Sequence, residues 1–403
     1  MGFGECIVVE GDSTNCLMID CGSLESAQNS NSYFASAVQT IKSYTDSEAM
    51  ITHFHEDHIK GFMYMIDSKN NCGIKFKRVY IPHIFTTGYR FNLIDYMLMY
   101  HYLENKIIKK NNFSLLDLLR GMVQNYIPFR LLERGNTFKS CDSENLVLWP
   151  RPMDVYPEKK QEELKANLPL PESAVNEIFS ISDEISLLFL RCASDIERIN
   201  SNEGILKEID ELNIRINSID EKVIDSESDD YIRFCNGLYL PKNQLSDFDN
   251  LKIVEDFKKR LFKAIEQKDN STSIVFQTNI HEDYLFTGDV PASILKKIIT
   301  NAYHDGIVVH DRFFAIKAPH HGTTKHYCKK LFDDNLIIRK ELVFISCGNG
   351  GKGSYKISSS YFSNNHRLVC TNDTYSKCDS WICPHYNTKG CNITQNLPQV
   401  DVI

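Results

Sequence analysis

The stretch Thr52-His53-Phe54-His55-Glu56-Asp57-His58 places three imidazoles and the carboxylate of Asp57, beside that of Glu56, within six residues. Imidazole nitrogen and carboxylate oxygen are ligands that suit zinc and its neighbours in the transition series. His53 and His55 stand two residues apart, so in an extended segment they point to one side. Asp57 and His58 follow at the turn into the next element and can aim at a second point in space. The spacing therefore suits two metals a few Å apart better than one. Zinc is the default from His and Asp ligands, and manganese is the alternative. The plain alternative is a surface loop that happens to be rich in histidine.

The flanks set these residues on definite elements. Ala49-Met50-Ile51-Thr52 reads as a short apolar strand ending at the motif, and Ile59 to Ile66 has the apolar spacing of a helix. Strand, ligand-bearing loop and helix in this order resemble the metallo-β-lactamase superfamily. "GFGEC" at residues 2–6 followed by "CLMIDCG" at 16–22 is similar to the opening of the hydrolase domain of ComEC-type competence proteins, a branch of that superfamily. These two runs read as strands of a hairpin. Asp20 is then either an orienter of a metal ligand or a strand-end turn residue. "YLFTGD" at 284–289 resembles the superfamily motif whose aspartate, here Asp289, bridges both metals. "KAPHHGTT" at 317–324 resembles the His-His-Gly motif of ComEC-type and phosphodiesterase-type members. The resemblance makes His321 a ligand of the second metal and puts His320 beside the substrate, as a hydrogen-bond donor or acid. The family's later Gly-His-Pro is missing, since Gly353-Ser354-Tyr355-Lys356-Ile357 carries no histidine.

On this reading His53, His55 and Asp289 hold one metal, and Asp57, His58, Asp289 and His321 hold the other, with Asp57 and His320 the residues nearest the chemistry. The first site is short of protein ligands, and an open position is what a catalytic site needs. Two close divalent ions lower the pKa of a shared water and stabilise charge on both sides of an in-line displacement. Phosphodiester hydrolysis suits such a site, because charge develops on phosphoryl oxygens. Lys317, Lys325 and His320 could meet a phosphate, although the two lysines read better as surface residues. His83, at the end of the strand Lys75–Pro82, either lines the pocket or is a strand-end polar residue.

The fold class expected is α/β, a four-layer αββα metallo-β-lactamase sandwich with a large, mainly helical insertion. Residues 1–150 form the first half, 151–269 the insertion, 270–372 the second half and 373–403 a Cys-rich tail. Residues 89–125 also look helical. In the insertion Ile185, Leu188, Ile196, Ile199, Leu206, Ile209, Leu212, Ile216, Ile219 and Val223 recur at threes and fours with charges between them. A lid, an antiparallel arm or a face for a protein partner or homodimer over 172–224 each fits this pattern. Two hypotheses follow. One is a self-contained phosphodiesterase, first a nuclease on DNA or RNA, with a small nucleotide or a phosphocholine-type ester as alternative substrates. The other is a subunit of a defence or toxin-like assembly that docks through the insertion.

The 403 residues are 42% hydrophobic and 24% charged, an ordinary globular composition. A net charge of -8 excludes broad phosphate neutralisation as the way of binding nucleic acid, so any such contact rests on a local patch. No apolar run reaches the length of a membrane span. The strand pattern begins directly after Met1, and the 13 cysteines are an odd number, so a reducing cytoplasm with free thiols is expected. Cys370, Cys378, Cys383 and Cys391, spaced C-x7-C-x4-C-x7-C beside His385, offer a structural zinc site or remain free thiols.

Overall fold

The computed structural model describes residues 4–11, 14–24, 27–105, 112–151, 170, 172–194, 202–219, 247–278, 284–333, 337, 339–345, 358–362 and 367–370. In chain order its elements are β1 (Ile7–Glu10), β2 (Asn15–Ile19), α1 (Ala27–Ile41), β3 (Asp46–Met50), α2 (Glu56–Ile66), β4 (Phe76–Pro82), α3 (Leu93–Asn105), α4 (Ser114–Gln124), β5 (Phe129–Leu132), β6 (Thr137–Ser140) and β7 (Ser143–Trp149). They continue as α5 (Glu172–Ser194), α6 (Asn202–Asn217), α7 (Asp247–Thr272), β8 (Val275–Thr278), β9 (Tyr284–Phe286), α8 (Ala292–Ile299), β10 (Arg312–Lys317), α9 (Lys329–Phe332), β11 (Arg339–Ile345) and β12 (Arg367–Cys370). No helix among the described residues is long and apolar enough to cross a membrane. Cys378, Cys383, Cys391, His385 and the run Gly353–Ile357 lie outside the described residues, as does the side chain of Cys370.

The chain divides into two compact units. The first takes in Met1–His83, Ile127–Arg151 and Asp269–Ile403, the second Ile84–Tyr126 and Pro152–Lys268. The first unit is α/β with two mixed sheets. One has the order β1-β2-β3-β4-β5, the other β12-β11-β10-β9-β8-β7-β6. In the first sheet only β1 and β2 are antiparallel, as the hairpin reading of the opening strands expected, and β2 to β5 run parallel. In the second sheet β9 to β12 are parallel and β6 to β9 antiparallel. Leu17, Ile19, Met50, Tyr80 and Leu132 from one sheet and Phe138, Val147, Phe276 and Phe286 from the other form one buried apolar cluster. Their burial is the hydrophobic driving force that fixes which face of each strand turns inward.

In open α/β sheets, ligands bind where the strands' carboxyl ends open onto loops. Here Asp20 follows β2, His53 to His58 follow β3, Asp289 follows β9, and His320 and His321 follow β10. The loops are stitched to one another by main chain. Asp20 N–H donates to Met50 O at 2.7 Å, Cys21 N–H to His58 O at 2.6 Å, Glu5 N–H to Asp57 O at 3.0 Å and His320 N–H to Gly288 O at 3.2 Å. Gly22 is glycine because of this close approach: a Cβ there would lie 2.1 Å from the Asp57 carbonyl carbon.

The described elements wholly within the second unit, α3 to α6, are all helices, and α7 adds most of its length. Ile185 and Leu188 of α5 and Ile209, Leu212, Ile216 and Ile219 in and just after α6 are buried, so these members of the apolar series pack inside this unit, whereas Ile196, Ile199 and Val223 lie outside the described residues. Phe85 stacks on Phe189 at 4.0 Å, and Arg215 pairs with Glu177 at 3.0 Å. Leu187 and Ile214 are the exposed large apolar residues on these two helices.

Candidate metal centre

Asp20 organises the centre from below. Its backbone is left-handed, φ 56°, a conformation non-glycine residues seldom adopt. That turn sends a fully buried carboxylate toward β3. Oδ1 accepts from Thr52 N–H at 2.7 Å, and Oδ2 accepts from the Thr52 hydroxyl at 2.7 Å and from His58 Nδ1 at 2.8 Å. A carboxylate on Nδ1 fixes the tautomer that leaves Nε2 as a lone pair. The Thr52 hydroxyl, donating to Asp20, accepts from His53 Nδ1 at 3.1 Å and fixes that ring in the same way.

The lone pairs converge. His58 Nε2 is 3.2 Å from Asp289 Oδ2 and 3.8 Å from Asp57 Oδ2. His321 Nε2 is 3.3 Å from Asp57 Oδ2 and 3.7 Å from Asp289 Oδ2. His53 Nε2 lies 4.0 Å from Asp289 Oδ2 and 3.1 Å from His55 Nδ1. His55 Nε2 faces Asp269 Oδ2 at 3.6 Å. Ligand atoms held at zinc distances around a tetrahedral ion stand about 3.4 Å from one another. The Nε2 atoms of His55 and His58 and Oε1 of Glu5 are buried and make no hydrogen bond, which costs free energy in an interior unless an ion satisfies them. His53-His55-Asp269, His53-His58-Asp289, Asp57-His58-His321, Glu5-Asp289-His321 and Glu5-Asp20-His58 are all sets that could hold a metal ion. The residues therefore fit divalent cations.

Charge agrees with geometry. Glu5, Asp20, Asp57, Asp269 and Asp289 are buried carboxylates, and Lys317 is the one buried ammonium among them. If all are ionised, four negative charges stay uncompensated, the charge of two divalent cations. Burial pushes the Asp57 carboxyl up, but His58 and His321 hold it below the usual carboxylate range. Burial opposes ionisation of Asp289 too, and Lys317 with His58 overcomes it. The same carboxylates raise His58 and His321 well against the pull of burial. His53, with burial first and His58 next, is driven well below an ordinary imidazole. Burial raises Glu5 and Asp269.

His320 and His321 carry left-handed backbone, φ 47° and 55°, and Gly322 continues it at 73°. Successive strained residues of this kind persist only where the surroundings hold them. The turn aims the two rings differently. His321 enters the carboxylate cluster, whereas His320 Nε2 stays 3.9 Å from Asp289 Oδ2 and its Nδ1 meets His326 at 3.0 Å.

The structure thus brings together His53, His55, Asp57, His58, Asp289 and His321, with His320 at the margin. His83 is elsewhere: it bonds Glu133 at 3.1 Å and belongs to none of these sets among the described residues. Lys317 corrects the surface reading, because it is 1% exposed, ion-pairs with Glu5 and bonds Asp289, while Lys325 is exposed. Sequence reasoning missed Glu5 and Asp269 as site residues. Asp269, near the end of α7, accepts Phe54 N–H on both oxygens at 3.0 and 3.1 Å. No local pattern in the sequence singles it out. Comparison with known proteins gave no match to a family model, a curated protein or a solved structure.

Proposed function

We propose that the chain is a hydrolase that uses two divalent cations, zinc by default or manganese, to cleave phosphodiesters, first of all DNA or RNA. The observation that carries this reading is Asp289 Oδ2, which lies within 4.0 Å of ring nitrogens of His53, His58, His320 and His321. His53, His55 and Asp269 would hold one cation and Asp57, His58 and His321 the other, with Asp289 between them. Bound there, two divalent cations supply Lewis acidity and a water made acidic enough to attack at neutral pH. The four-layer αββα arrangement of the metallo-β-lactamase superfamily, with a ComEC-type site, is part of the same proposal, as is the helical second unit as a lid or arm. A zinc held by the C-terminal cysteines is proposed on their spacing alone.

The chain's own groups do the remaining work. Asp20 and Thr52 hold the rings of His58 and His53 in the tautomer that presents Nε2. Burial pushes His320 down to about 3, with His326 adding to the effect, so its ring is neutral at working pH. A neutral imidazole beside the cluster donates a hydrogen bond to a phosphoryl oxygen and does not serve as a store of protons. Burial at His53, Asp57 and His58 keeps bulk water from competing with the substrate at that edge.

The test is hydrolysis of labelled single-stranded DNA, duplex DNA, RNA and bis-p-nitrophenyl phosphate with zinc or manganese, beside an Asp57→Ala, His58→Ala double variant. Polynucleotide cleavage that vanishes in the variant is the expected result. Turnover of the small diester alone moves the substrate to a nucleotide or headgroup ester. No turnover by metal-loaded protein contradicts a self-contained enzyme and favours a subunit that needs a partner.

A further inference from the structure

Lys317 Nζ lies 2.9 Å from Glu5 Oε2, 3.1 Å from Asp289 Oδ1 and 3.1 Å from the Gly288 carbonyl oxygen. The Gly288 and Asp289 contacts are hydrogen bonds and the Glu5 contact is an ion pair, so each N–H of the ammonium faces an acceptor. No donor remains for a substrate, and the side chain is 1% exposed, so none could reach it. A buried ammonium is costly unless paired and hydrogen-bonded, so its place in the fold follows from what it does to the carboxylates that hold it.

The two oxygens of Asp289 are not equivalent. Oδ1 belongs to Lys317, whereas Oδ2 is the atom that His58, His321, His320 and His53 face, at 3.2, 3.7, 3.9 and 4.0 Å. A carboxylate with both oxygens free can give one to each of two cations and hold them apart. A carboxylate with one oxygen taken has a single atom left to share, and a shared atom draws the cations together, toward the spacing of about 3.5–4 Å typical of two-metal sites. Glu5 is the seat of the ammonium. Its own backbone is tied down by Glu5 N–H on Asp57 O at 3.0 Å and by Gly22 N–H on Glu5 O at 3.0 Å. We infer that Lys317, seated on Glu5, is a positioning residue that withdraws Oδ1 of Asp289 from the cation cluster, so that Asp289 meets both cations through Oδ2 alone. This rests on the two-cation reading above.

The test uses full-length, metal-stripped protein titrated with manganese(II) and read by stoichiometry and by electron paramagnetic resonance. Wild-type protein takes up two ions whose spectrum shows exchange coupling through a shared atom. Lys317→Met frees Oδ1, and the second ion then binds at least tenfold more weakly or the coupling disappears. Because that variant leaves Glu5 buried without its cation, Lys317→Met with Glu5→Gln is made alongside, to remove both charges. Circular dichroism identifies which variants fold. A folded variant of either kind that binds two ions within twofold of wild type and keeps the coupled spectrum overturns the inference. Wild-type protein that binds no ion overturns the metal reading itself, and the inference with it.

Discussion

Two sets of buried carboxyl groups behave in opposite ways. Asp57 and Asp289, in the α/β unit, are buried, yet each is held below the ordinary carboxylate range, Asp57 by His58 and His321 and Asp289 by Lys317 and His58. Asp95, in the helical unit, is buried as well and is pushed up to about 7 by that burial, against hydrogen bonds from Ser182 and Asn92. Asp95 serves the N-terminus of α3. Its Oδ2 accepts Asn92 N–H at 3.1 Å, and its own N–H donates to Asn92 Oδ1 at 2.9 Å, a reciprocal cap. Desolvation acts the same way on all three groups. Neighbouring imidazoles and one ammonium decide which of them stays charged. The helical unit uses its acid to finish a helix, and the α/β unit gathers its acids around imidazoles and one ammonium.

The largest effect is expected at Asp269. Asp269→Asn leaves His53 and His55 without their carboxylate, and one of the two bound ions should be lost, with hydrolysis falling by about a hundredfold or more. Metal analysis of the desalted variant checks this, and two retained ions would remove Asp269 from the site. Next comes Asp20→Asn, which keeps the shape but weakens the hold on His58 Nδ1. Losing such an outer partner typically costs about 10–100-fold in metal affinity. A calorimetric titration reads it, and an unchanged affinity would return Asp20 to the role of a turn residue.

The smallest effect is on the other side of the comparison. Folding raises Asp95 from 3.8 to about 7, so within that window the folded chain holds a proton that the unfolded chain has released. Stability from this group is therefore full below the window and falls as pH rises through it. Asp95→Asn should match wild type in unfolding free energy near pH 4 and exceed it near pH 8, by at most ~4 kcal/mol, with the thermal midpoint rising accordingly. A midpoint difference that does not grow with pH would show that Asp95 is ionised in the fold. Metal binding should be the same in this variant.

The local parts of this account were legible in the sequence. His53 to His58 are consecutive in the chain, running from the loop after β3 into the first turn of α2, so their spacing alone marked them as candidate metal ligands, and the strand before and the helix after them were readable from apolar periodicity. Asp289 and His321 came from motifs that a resemblance supplied. The contributors that depend on long-range pairing were not legible. Asp269 meets Phe54 across 215 residues, and nothing local marks an acid in the last turns of a 26-residue helix as a site residue. Lys317 was misjudged because a lysine on a strand is usually solvated, and only the fold brings Glu5 and Asp289 to it. β5 and β6, four residues each, are too short for a pattern of alternation to stand out.

Counting the divalent cations held by the carboxylate cluster decides whether it is a two-metal site. Metal-stripped protein, titrated separately with zinc and manganese and compared with the Asp57→Ala, His58→Ala variant, should saturate at two ions per chain, with the variant at one or none. Wild-type protein that takes up no ion, or a variant that binds as wild type does, would contradict the account.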